Sequence, residues 1–188
     1  MGISGSIVSE GKELWGGGDG ASLVAIAFGW GLLLGTRMVY PVLLPYFRET
    51  FDLSLTIAGL LITILWLGSA VGQLPGGIVA DRYSERFVLT LSVFLVGLAL
   101  VLVVTAPTAG ILFVATGIVG LGNSLYPIAR ITILSHIYPD RVGSALGVAM
   151  AAGDLGQTVL PPAAGAIAVA IAWQAGLSFV IPLLLLAG

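Results

Sequence analysis

The chain has 188 residues, 58% of them hydrophobic and 9% charged, with a formal net charge of -2 and a mean hydropathy of +1.11. Soluble domains carry about 25% charged residues, and a water-exposed fold this poor in charge would present large apolar patches and aggregate. The composition excludes a soluble protein, and the chain holds no cysteine for disulfides or thiolate metal sites and no basic run for nucleic acid.

Residues 1–20 mix Glu10, Lys12, Glu13 and Asp19 with glycine and lack the basic start and cleavage site of a signal peptide. They are expected to form a cytoplasmic tail. Residues 21–188 then read as six apolar runs, at 21–47, 53–79, 87–104, 110–135, 142–170 and 174–188, joined by short polar connections. A helix needs roughly 20 apolar residues to span the hydrocarbon core, so the expected fold is all-α, a polytopic membrane six-helix bundle. The sixth run has only about 15 residues, roughly 22 Å of helix. A terminus inside the bilayer is not expected, so this run is read as cut short and the chain as the front part of a longer one.

Basic residues orient the bundle. With the N-terminus in the cytoplasm, that side holds Lys12, Arg82, Arg86, Arg141 and Arg130, and the other holds only Arg48. The expected location is the cell membrane, multi-pass, with the N-terminus inside.

An internal repeat runs through the helices. Tyr40-Pro41 in the first run returns as Tyr126-Pro127 in the fourth, and Gly72-Gln73 in the second returns as Gly156-Gln157 in the fifth. Three helices followed by three related ones enter from opposite sides, which is an inverted 3+3 repeat. Gly68, Gly72 and Gly76 lie four residues apart on helix two, as do Gly31 and Gly35 on helix one. Small residues at that spacing let helix backbones approach closely in lipid.

Between the second and third runs stands Gly77, then Asp81, Arg82, Ser84 and Arg86. This loop, with the helix count and spacing, resembles the N-terminal half of a major facilitator superfamily transporter, whose loop reads Gly-x-x-x-Asp-Arg-x-Gly-x-Arg-Arg. Ser84 stands at the inner glycine and Phe87 at the last basic position. Gly153, Gly156, Pro161 and Gly165 look like the packing helix of that family. The position where many antiporters carry arginine on helix four is Thr116. The resemblance implies two six-helix bundles rocking about a central cavity, with the C-terminal bundle as partner. It also implies that Gly77, Asp81, Arg82 and Arg86 form a conformational latch, with Asp81 meeting a helix N-terminus of the other half.

Arg37 sits near the middle of helix one, where a guanidinium is costly unless it faces water or a partner. Trp30 and Tyr40 share its face. The planar fork of arginine suits a carboxylate or phosphate, so Arg37 is a candidate for binding an anionic substrate group; an ion pair with Asp154 is the structural alternative. Asp154 lies mid-membrane on helix five beside Gln157 and Thr158. Desolvation there disfavours its charged form, which suits proton coupling. Thr116, Asn123, Tyr126 and Arg130 make a polar stripe on helix four, read as a cavity wall with Arg130 at its cytoplasmic mouth or snorkelling to lipid phosphates. Trp173 reads as an anchor at the membrane interface, and Trp66 as facing lipid or core.

An enzyme is not expected. The lone His136 lies 12 residues from Ser124 on one helix, roughly 18 Å apart, and no residue cluster suggests a metal or cofactor. The expected function is secondary active transport of a small polar solute, anionic if Arg37 binds it, by alternating access in the lipid bilayer. A half-length homodimeric transporter or a non-transporting accessory subunit is the alternative.

Overall fold

The computed structural model describes the backbone of residues 20–188, and the side chains of all of these but 74–81. The expected tail and the expected roles of Gly76, Gly77 and Asp81 lie outside the described residues and side chains. Five long helices follow one another: α1 (Gly20–Thr50), α2 (Leu55–Arg82), α3 (Glu85–Val104), α4 (Ala109–Ile137) and α5 (Val142–Ala170). The sixth run forms two short pieces, α6 (Trp173–Ser178) and α7 (Val180–Ala187), with Phe179 between them.

Local chemistry sets the boundaries. The hydroxyls of Ser84 and Thr108 accept the backbone N–H of Phe87 and Ile111, each at 3.4 Å, and cap α3 and α4. A capping hydroxyl satisfies one of the orphan donors of a first helical turn. Ser54 does the same ahead of α2, accepting from Ile57 at 3.3 Å. The turn before it passes through Asp52 at φ 50°, a left-handed conformation that aspartate tolerates better than most residues. Pro41 and Pro45 lie inside α1, Pro127 inside α4, and Pro161 and Pro162 inside α5.

By length and composition, α1, the Leu55–Gln73 part of α2, α3 and α4 can each cross a membrane. α5 matches α4 in length at 29 residues, but Asp154, Gln157 and its glycines make it less apolar.

α1 packs chiefly against α5, and α2 against α4, with α3 also lying along α4. If the first three helices map onto the next three, the α1–α5 and α4–α2 pairs are one contact made twice. The glycines bear this out. A Cβ on Gly31 would lie 2.6 Å from the carbonyl oxygen of Ala152, and one on Gly68 would lie 2.6 Å from that of Gly117. Gly31 and Gly117, like Gly68 and Ala152, are separated by the repeat offsets, so the same two positions meet in both crossings, although the glycine that faces a carbonyl lies on α1 in one and on α2 in the other. Ser69 and Ser92 add hydrogen bonds between helices, donating to the carbonyls of Gly120 (3.1 Å) and Gly122 (2.7 Å). The core between the helices holds Leu33, Leu43, Leu65, Leu100, Leu112 and Leu134, all fully buried.

Candidate functional site

α1, α4 and α5 meet around the indole of Trp30. On α4, one turn apart, Tyr126 and Arg130 both reach it. The Tyr126 ring stacks on Trp30 with centroids 6.2 Å apart and planes 17° from parallel. The Arg130 guanidinium carbon lies 4.2 Å from the Trp30 ring centroid. Tyr126 is nearly buried, and its hydroxyl donates 2.8 Å to the carbonyl of Ile26. That reach passes over Gly29, where a Cβ would collide with the tyrosine hydroxyl. Gly29 thus makes room for Tyr126. Its sequence context, between Phe28 and Trp30, carries no mark of that role.

Arg130 is only 6% exposed, and its Nε and Nη1 have no hydrogen-bond partner. A cation over an aromatic face gains about 0.5–2 kcal/mol. A buried donor left without an acceptor costs about 1–3 kcal/mol. The ring therefore steadies the charge without satisfying the buried Nε and Nη1 donors.

Arg37, seven residues along α1 from Trp30, repeats the arrangement with another helix. Its guanidinium carbon lies 4.6 Å from the ring centroid of Trp66 on α2, and its buried Nε is likewise unpartnered. Among the described residues neither arginine pairs with a carboxylate; the ion pair seen is His136 Nδ1 to Glu85 Oε1 at 3.4 Å, between α4 and α3. The alternative of an Arg37–Asp154 pair is not realised. Asp154 is exposed on α5, where it accepts a 2.8 Å hydrogen bond from Gln157 Nε2.

The remaining candidates fall in different places. Tyr40 is fully buried, its hydroxyl close to that of Thr116 but without a well-formed hydrogen bond. Its ring belongs to an aromatic chain running on to Phe47 (5.9 Å), Trp173 (5.0 Å from Phe47) and Phe51. Asn123 is buried and donates to Val119 on its own helix at 2.9 Å. The face expected to unite Trp30, Arg37 and Tyr40 is therefore divided: Trp30 turns to α4 and α5, Arg37 to α2, and Tyr40 to the core. Trp173 turns into the protein rather than out to lipid. It is 7% exposed and donates its indole N–H to Thr50 Oγ1 at 2.9 Å. Arg82 and Arg86 are exposed at the α2–α3 turn. The packing candidates Gly68, Gly72, Gly153 and Gly156 all sit at helix crossings, and Gly165 and buried Pro161 lie on α5, Gly165 facing Val42. Among the described residues no cluster of three His, Asp or Glu could hold a metal ion.

Residues 22–188 match the model of the Major Facilitator Superfamily. The chain belongs to that superfamily. It is similar to a gentisate transporter of Corynebacterium glutamicum, at 28% identity over 136 residues, covering 72% of this chain and 30% of that protein. It is 30% identical over 136 residues to a Na(+), Li(+), K(+)/H(+) antiporter of Planococcus maritimus, covering 65% of this chain and 32% of that one. A hexuronate transporter of Bacillus subtilis is 28% identical over 148 residues, covering 77% and 34%. The chain thus spans about a third of the length of these curated relatives.

Proposed function

We propose that this bundle is half of a secondary active transporter that moves a small organic or inorganic anion across the membrane by alternating access. Membership of the superfamily supports a transporter rather than an enzyme. It does not choose the solute, since relatives include transporters named for gentisate and hexuronate and an antiporter named for alkali cations. The observation that favours an anion is the pair of arginines, each laid on a tryptophan face with buried N–H groups unpaired and no carboxylate partner among the described residues. An anion entering beside Arg130 or Arg37 would supply the missing acceptors. Hydrogen bonds to charged groups contribute about 1.5–3 kcal/mol each, and a carboxylate can take two from one guanidinium.

In this reading Trp30, Arg37, Tyr40, Asn123, Tyr126 and Arg130 belong to the cavity wall or its support. A second six-helix bundle completes the cavity. Arg82 and Arg86, with Asp81 and Gly77, latch the two bundles when one gate is shut. Asp154, unpaired with either arginine, is the proton-coupling residue. The N-terminus lies in the cytoplasm, as the basic residues suggest.

The test is uptake of isotope-labelled gentisate and glucuronate by the natural protein in proteoliposomes, with Arg37→Gln, Arg130→Gln and the matching lysine variants. Each glutamine variant should lose at least tenfold in uptake at low substrate. Lysine should restore little, because it keeps the charge but not the fork. Undiminished uptake in both glutamine variants overturns the anion-binding role.

A further inference from the structure

Two of the glycines that α5 turns towards α1 do different work. At Gly156 a Cβ would strike the backbone of Gly31, whose Cα would be 2.8 Å away. That glycine sets how closely two helices cross. At Gly153 the three atoms nearest a Cβ would all be side-chain atoms: Trp30 Nε1 at 2.5 Å, Trp30 Cδ1 at 2.8 Å and Leu34 Cδ2 at 3.2 Å. What the missing Cβ provides at Gly153 is a seat for an indole.

That indole has partners on a third helix as well. It lies against Tyr126 and Arg130 on α4, and Tyr126 is itself pinned by its hydrogen bond to Ile26 and by the space left at Gly29. A Trp30 ring lifted from α5 must tilt or slide relative to the guanidinium above it. Arg130 makes no hydrogen bond through Nε or Nη1 that would hold it in place. The ring face is the contact that orients its donor edge. We infer that Gly153 is a positioning residue: it seats Trp30, and through Trp30 it aims the Arg130 guanidinium. The consequence for anion binding rests on the function proposed above, whereas the mechanical coupling of the three residues does not.

The two can be tested apart. The natural protein is labelled with 5-fluorotryptophan, and the Trp30 resonance is assigned by its loss in Trp30→Phe. Arg130→Gln should shift this resonance in the parent protein, because it removes a cation from the ring face. In the Gly153→Ala background the same replacement should shift it by less than half as much. An equal shift in both backgrounds overturns the coupling. Gly147→Ala, where a Cβ has no neighbour within 4 Å, should leave the Arg130→Gln shift whole.

Gentisate and glucuronate binding to the same proteins then supplies the second arm. Gly153→Ala should weaken binding about tenfold, and Gly153→Ala with Trp30→Phe should recover most of it, since the smaller ring clears the new methyl group. Weakened fluorine coupling with unchanged affinity overturns the positioning role in binding. Binding of neither anion by the parent protein, with the fluorine coupling as expected, overturns the anion reading and upholds the coupling.

Discussion

The repeated glycine crossing makes a prediction about stability that can be worked from distances. Replace Gly31 by alanine, and separately Gly68. Each new Cβ would stand 2.6 Å from a backbone carbonyl oxygen, that of Ala152 or of Gly117, whereas ordinary contact begins at 3.4 Å. Backbone cannot swing aside as a side chain can, so the helices must part by about 0.8 Å. A radial gap of 0.5–1 Å forfeits a quarter to a half of the dispersion well for each atom pair along the seam. Overpacking of this kind costs about 1–3 kcal/mol. The two variants should suffer alike, because each new Cβ meets a backbone oxygen at the same distance. Gly143→Ala and Gly147→Ala on α5 meet nothing within 4 Å and should instead gain up to about 1 kcal/mol from helix propensity. Unfolding in graded SDS, followed by circular dichroism, gives all four values. The reasoning fails if Gly31→Ala is as stable as Gly147→Ala. A difference of more than about 1 kcal/mol between Gly31→Ala and Gly68→Ala would show that the shared 2.6 Å approach does not set the cost.

Other consequences are smaller but as definite. Tyr126→Phe removes the hydroxyl donated to Ile26 and should cost about 1 kcal/mol in the same unfolding assay, while leaving the Trp30 stack in place. Ser84→Ala deletes the cap of α3 and should cost about 1 kcal/mol, visible as faster hydrogen exchange of the amide of Phe87 and its neighbours. Asp154→Asn, at an exposed carboxylate whose side-chain partner is Gln157, should change stability by no more than about 0.5 kcal/mol. Uptake by the variant should cease to follow an imposed pH gradient; uptake that still follows it removes Asp154 from proton coupling.

The helical architecture was legible in the chain because the apolar runs are long and their breaks are chemical. Ser84 and Thr108, where polar residues interrupt the runs, turned out to be caps. The first apolar run ends at Phe47, before Arg48 and Glu49, whereas the helix continues to Thr50, since polarity marks the edge of lipid and not the end of backbone hydrogen bonding. The repeat was legible as Tyr-Pro and Gly-Gln pairs, and it returns as matched crossings. Neighbours across helices were not legible. Arg37 finds Trp66 rather than Asp154, because helical spacing shows which residues share a face and not what that face meets. Trp173 shows the same limit: its place beside a connection points to the membrane interface, and says nothing of the contacts with Thr50 and Phe47. Gly29 and the indole seat at Gly153 were invisible because an absent side chain announces nothing about what fills the space.

The unpaired arginines also bear on how the chain enters the membrane. An arginine at the centre of a spanning helix opposes insertion by about 2.5–3.5 kcal/mol on the translocon scale. α1 carries Arg37 near its middle and α4 carries Arg130 nearer its C-terminal end, where the cost is smaller, while α3 is the most apolar of the spans and keeps its charges in its first turn. α3 can therefore commit to lipid unaided. α1 and α4 need help, and their tryptophan partners come from elsewhere: Trp66 on α2 shelters Arg37, and Trp30 on α1 shelters Arg130. Each shelter completes only when a later helix arrives, first α2 beside α1, then α4 beside α1. Losing either indole would thus be felt at birth, as a fourth or first helix that slips back out of the bilayer before any solute has been met.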